Sequence, residues 1–301
     1  MSPSDSTRLA PSVPPTLPPG RCPRSGRRGS QPPPPRSSGR CPGLPGRSEL
    51  SALALLLALA ACAPPAGPTG DADAVTLVRA AREAHGSDRL DGRTLHFTFR
   101  GDAFSTWTDG GRFRHTRTSR DALGREVVIT VDNDGVSRTV GGADAPFADN
   151  AERMAAAEAV GSVVYFVRLP APLTDPAVRV RALGRDTVAG APYDALEVTF
   201  AQEGGGRDWQ DRYVYWLHPE RRTVDFLAYS YRETPGDTAR AATGHRFRRV
   251  VGVQTVGGLR VQDYENLSAD SLARLDDYPD ALAAGRTFRV SEVRTESVRL
   301  D

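Results

Sequence analysis

The sequence predicts a mainly β (α+β) fold, a curved antiparallel sheet wrapped around an apolar interior with a helix plugging it. Three observations lead there. Short strand patterns recur at hairpin spacing through most of the chain, with few helices between them. The ribbon at residues 213–231 (YVYWLHPERRTVDFLAYSY) is apolar or aromatic on both faces, whereas a sheet with one wet face should alternate cleanly. The second helix, after Asp149, is apolar around its circumference and needs cover on more than one side. The pattern admits two fillings: a ligand cavity, or the chain's own side chains packed solid.

Taken in order, the chain of 301 residues opens on a leader, residues 1–49, in which 13 of the 24 prolines fall before residue 49. Such a Pro/Arg-rich segment buries too little apolar surface to offset its ordering entropy. It reads as a disordered leader, either a basic arm or, the reading we favour, upstream sequence translated from a start set too early. Leu50 to Cys62 (LSALALLLALAAC) follows. It is shorter than the ~20 apolar residues of a bilayer span and has the length of a signal h-region. Leu59-Ala60-Ala61-Cys62 resembles the bacterial lipobox, which implies lipidation of Cys62. Ala63 to Asp73 reads as a Pro/Gly tether. Neither Ala63 nor Pro64 is the Asp that marks inner-membrane retention in lipoproteins of the enteric type, so that resemblance implies the outer membrane; the side expected, which the motif does not fix, is the periplasmic one. Arg27-Arg28 lies too far ahead of the apolar run for a twin-arginine signal.

Charge divides at the same place. Residues 1–62 carry eight Arg and two acids, and the remainder 31 Arg and 35 acids. A mildly acidic domain gives no electrostatic case for nucleic acid. The chain has no lysine, and its three cysteines are Cys22, Cys41 and Cys62. Residues 63–301 therefore hold no disulfide, thiolate metal site or cysteine nucleophile.

From residue 74 the domain begins. Asp73 is expected to cap a helix bearing Val75, Val78, Ala81 and His85, stopped by Gly86, with His85 serving the last-turn carbonyls. Leu95, Phe97 and Phe99 alternate as a strand. Asp109-Gly110-Gly111 turns into a strand at 112–118, followed by strands at 126–131 and 136–140. Asp132-Asn133-Asp134-Gly135 begins like a calcium loop, but its twelfth position is Ala143 rather than Glu, so a hairpin turn is the reading. Asp149 or Asn150 starts the second helix, which runs through Ala151–Val160 and on to Arg168, where Pro170 and Pro172 stop it. Strands are expected at 178–183, 193–200, 213–217, 223–231, 245–251, 259–267 and 287–300, the last after a short acidic loop at Asp276, Asp277 and Asp280.

Several motifs stand out along this domain: Ala84-His85-Gly86 ahead of Leu95-His96-Phe97, Leu169-Pro170-x-Pro172-Leu173-Thr174-Asp175-Pro176, and Asp186 to Tyr193 (DTVAGAPY). To these are added Tyr215-Trp216-Leu217-His218-Pro219 with Val224-Asp225-Phe226, Arg246-Phe247-Arg248, and Asp263-Tyr264. In these features the chain resembles the LolA/LolB superfamily of lipoprotein carriers and sorting proteins, as an uncharacterised lipoprotein branch of it. The likeness covers residues 74–301. It implies a curved antiparallel half-barrel with a helical lid over an apolar cavity that holds acyl chains. An anchor cysteine departs from the soluble carriers and is more like the anchored receptor end.

No enzyme signature appears: no HExxH, GxSxG, Walker or GxGxxG loop. The five histidines have no metal-ligand spacing. The expectation is a non-catalytic envelope lipoprotein, without metal or cofactor, that binds a lipid or lipoprotein acyl chain. Its ligand-binding residues would be Tyr213, Tyr215, Trp216, Phe226, Tyr229, Tyr231, Arg246 and Arg248. Arg246 and Arg248 alternate on one strand and suit an anionic headgroup. Its partners would be the acyl ligand, the membrane through Cys62 and an envelope protein. The alternative is an anchored scaffold with a self-filled interior that binds another protein.

Overall fold

Alternation at a period of two makes this domain two large sheets, and one apolar helix passes between them. The computed structural model describes residues 67–205, 209–232 and 243–301, all within one unit. Cys62 and the leader lie outside the described residues.

A two-residue strand β1 (Thr69–Gly70) precedes helix α1 (Ala72–Ala84). The smaller sheet then builds as a meander of β2 (Thr94–Phe99), β3 (Asp102–Asp109), β4 (Arg112–Arg120), β5 (Glu126–Asp132), β6 (Gly135–Val140) and β7 (Ala143–Asp144). Helix α2 (Asn150–Val167) leads into the larger sheet: β8 (Val178–Val188), β9 (Ala191–Phe200), β10 (Arg212–Leu217), β11 (Val224–Arg232), β12 (Thr243–Val256) and β13 (Leu259–Ala269). Helix α3 (Tyr278–Ala283), β14 (Thr287–Val293) and β15 (Glu296–Leu300) close the chain. The strand orders are β1-β8-β9-β10-β11-β12-β13-β14 and β15-β2-β3-β4-β5-β6-β7. All pairs are antiparallel except the short β1 on β8. The fold is mainly β, a curved and unclosed antiparallel arrangement among the described residues.

Four local differences from the sequence reading have physical causes. The tether's last residues are folded: β1 pairs with β8, and α1 is capped at Asp71, one half-turn earlier than Asp73. The strand Asp102–Asp109 was not expected; its buried positions are Phe104 and the polar Thr106, so the apolar alternation is broken. The expected acidic loop contains α3, only six residues long. The expected terminal strand is two strands in different sheets, because Asp263 accepts from both the Thr295 backbone N–H (2.8 Å) and its hydroxyl (3.1 Å) and pins the chain there.

Helix α2 begins as the sequence predicts. The Asp149 side chain accepts from the Glu152 N–H at 2.8 Å, and Glu152 reaches back to the Ala148 N–H, a reciprocal cap. Its second half, Val160 to Val167, is wholly buried. It packs on β4, β5 and β6 of the smaller sheet and sets Tyr165 and Phe166 against the aromatic face of the larger one.

Candidate functional site

The two-faced ribbon sorts its side chains by parity. On the inner face, toward α2, stand Tyr213 and Tyr215 of β10 and Leu227, Tyr229 and Tyr231 of β11. On the outer face stand Val214, Trp216, Phe226 and Ala228. Both faces are covered. Inside, the Tyr165 and Tyr215 hydroxyls bond at 2.8 Å, and the Phe166 ring lies 5.2 Å from that of Tyr229. Outside, α3 and its approach supply Tyr278, Leu275 and Ala281, and Phe247 stacks on Tyr278 at 5.0 Å. Trp216 and Phe226 therefore leave the proposed set: they belong to this second core, where the Trp216 Nε1–H donates to Asp186 at 2.7 Å and Phe226 stacks on Phe247. Tyr213, Tyr215, Tyr229, Tyr231 and Arg248 do come together, and Arg246 shares their face of the sheet, its guanidinium 5.5 Å over the Tyr231 ring.

The hollow expected within the fold is filled by α2. What is left between α2, β12 and β13 is a void of about 20 Å³, lined by Phe99, Ser162, Val163, Phe166, Val167, Arg248, Gln262, Tyr264 and Val293. By that measure a single water needs ~10–15 Å³, so no acyl chain enters this void as it stands.

Arg248 is the unusual group there. It is 3% exposed, its guanidinium sits 3.6 Å over the Phe166 ring, and Nη2 donates to the Tyr229 hydroxyl at 3.3 Å. Nε and Nη1 have no partner, and no carboxylate pairs with it among the described residues. Burial pushes the nearby Tyr264 phenol up, against the pull of Arg248 and Arg260, so that phenol is neutral at pH 7 and supplies no counter-charge. A cation–π contact of this kind is worth ~2 kcal/mol, against a desolvation penalty of several kcal/mol for a buried ion. The Ser162 hydroxyl on the facing helix is also buried without a partner. The seam between α2 and β12–β13 is thus under-satisfied in polar terms although packed in apolar ones. The sequence reading missed Ser162 and Phe166 on α2 and Gln262 and Tyr264 on β13; no local pattern joins either pair to Arg248 on β12.

A second, polar cleft of about 190 Å³ opens where α2 ends, lined by Arg82, Asp91, Asp109, Arg112, Arg168 and Asp175 among others. Burial lowers the Arg168 guanidinium, against the raising pull of Asp175, and raises the Asp175 carboxyl, against the lowering pull of Arg168. Beneath it the buried His115 holds its Nδ1 2.8 Å from the Thr106 hydroxyl. Among the described residues, no three His, Cys, Asp or Glu side chains are placed to hold a metal ion, and no helix is long and apolar enough to cross a membrane.

Solved structures similar to the chain include a DUF1329 family protein from Desulfovibrio piger, at 10% identity and TM-score 0.34, covering 76% of this chain and 93% of that one. A Vibrio parahaemolyticus domain assigned provisionally to outer membrane lipoprotein sorting matches at 9% identity and TM-score 0.29, over 74% and 92%. MucB matches at 13% identity and TM-score 0.23, over 68% and 70%. No curated protein matches the chain. The model of a family of unknown function, DUF6503, matches residues 92–294, from just before β2 to just past β14, and the chain belongs to that family.

Proposed function

We propose that this is a non-catalytic binding protein of the cell envelope, held to the outer membrane by lipid on Cys62, that takes an apolar chain from a lipid or lipoprotein between α2 and the larger sheet. The observation that carries the reading is the seam under α2: an apolar interior with a void, and buried polar atoms left unpartnered on both of its walls. The chain enters by taking the place of α2's buried half. The exchange is near balance. A sixteen-carbon chain offers roughly 12 kcal/mol at 0.8 per methylene, and exposing Val160, Val163, Val164, Tyr165, Phe166 and Val167 costs on the order of 9–18 kcal/mol. Gly161 lies at the start of that half, where the helix resists bending least.

A second reading is favoured by the filled interior itself: an anchored scaffold that needs no ligand and binds another envelope protein. Native mass spectrometry of the full chain after gentle extraction separates the two. The first reading expects co-purifying lipid and a rise in Tm on adding fatty acid. A bare mass with an unchanged Tm leaves the scaffold. Intact-mass analysis of the mature N-terminus tests the anchor at Cys62.

A further inference from the structure

We infer that the apolar chain this protein takes carries an oxyanion, carboxylate or phosphate, and that Arg248 is the group that binds it. The inference rests on the binding reading above and names the chemical class of its ligand. Half-buried arginines of the same sheet have carboxylates: Arg249 of β12 pairs with Glu265, and Arg212 of β10 with Glu197 and Asp276. Arg248 faces the interior and has a phenol and a ring instead. One water in the adjoining void would accept one N–H, yet it would not balance the charge. An oxyanion would accept from an open donor, Nε or Nη1, and neutralise the guanidinium at once. Arg246, two residues along the same face, adds positive charge beside it without lining the void. An anionic head at Arg248 would leave its chain to run along Phe99, Tyr264 and Val293, the apolar part of the lining that α2 does not supply.

The test titrates the full chain at pH 8 with dodecanoate, dodecyl phosphate, methyl dodecanoate and dodecanol, and separately with acetate and inorganic phosphate. Wild type, Arg248→Met and Arg248→Gln are compared. Methionine matches the stem and removes the buried charge, which preserves or raises stability, and Gln guards against a packing artefact. The expected result is that wild type binds the two anionic amphiphiles at least about tenfold more tightly than the neutral ones. Both variants should lose that preference yet keep the neutral ligands, and acetate and phosphate should bind weakly. Equal affinity for all four amphiphiles, or a preference that survives in both variants, overturns the inference and leaves the binding reading standing. No binding of any amphiphile removes both. Free acetate or phosphate binding as tightly as the amphiphiles overturns the requirement for a chain.

Discussion

Gly86 marks the sharpest single-residue constraint in the fold. It ends α1 at φ 64°, in the left-handed region, and a Cβ there would lie 2.1 Å from the Gly258 carbonyl oxygen. Strain and clash act together, and the obstacle is backbone, which has little room to shift. Gly86→Ala is expected to cost more than about 2 kcal/mol, from a left-handed penalty of ~1–2 kcal/mol plus the clash, read as a lower urea midpoint at unchanged m-value. Next to it, His85 was expected to serve the carbonyls of its own helix. Its ring instead accepts from the Val224 N–H of β11 at 3.1 Å, and only its backbone completes the turn. Local spacing showed that a histidine ends α1; it carried no information on a partner 139 residues away. Arg248 illustrates the same limit. Its face on the strand was legible from alternation, but its burial without a carboxylate arises only when α2 lies over it.

At the scale of elements, α2 was readable because its evidence is local. A capping aspartate, an alanine run, an apolar circumference and a proline stop are all written within twenty-odd residues. Replacing that cap tests its weight: Asp149→Ala is expected to cost ~1 kcal/mol, with faster amide exchange confined to the first turn of α2. A change spread over the whole domain would mean that the cap holds more than its helix. Further along α2, the Tyr165–Tyr215 hydroxyl pair joins the helix to β10 inside the core. Tyr165→Phe or Tyr215→Phe alone strands a buried hydroxyl and should cost ~1–3 kcal/mol, while the double variant should cost less than the two added together. Additive losses in a double-mutant cycle would show that the two hydroxyls do not bond. Elements whose cause is remote were not legible. β3 hides because the hydroxyl of Thr106 fills an interior position by pairing with His115 across the strand gap. The break between β14 and β15 depends on Asp263, and α3 is too short to show a period.

For the whole molecule, the curvature and two-sided cover of the sheet were legible, and the way the interior is filled was not, since patterning alone does not distinguish a ligand from the chain's own aromatics. One consequence of that packing reaches every element. Two histidines are buried, His85 at the end of α1 and His115 on β4. His85 is held to about 4, first by burial and then by Arg260, with Asp225 pulling the other way. His115 is held to about 3, by burial and then Arg168, with a backbone hydrogen bond from its own strand opposing. Both folded values lie below the 6.5 of the unfolded chain, so between pH 6.5 and those values the unfolded state binds more protons. Stability is therefore fully present above pH 6.5 and falls as the pH drops through that window. At 1.36 kcal/mol per pH unit for each group, the loss between pH 7 and pH 5 is ~4 kcal/mol, a large part of a domain's total stability. Urea midpoints at pH 7, 6 and 5 should fall steeply. His115→Gln, which keeps a partner for Thr106, and His85→Gln should each remove about half of the slope whatever they do to stability at pH 7. A flat profile in the wild type would mean that neither imidazole is buried neutral, and the packing of α1 on β11 and of α2 over β4 would have to be redrawn.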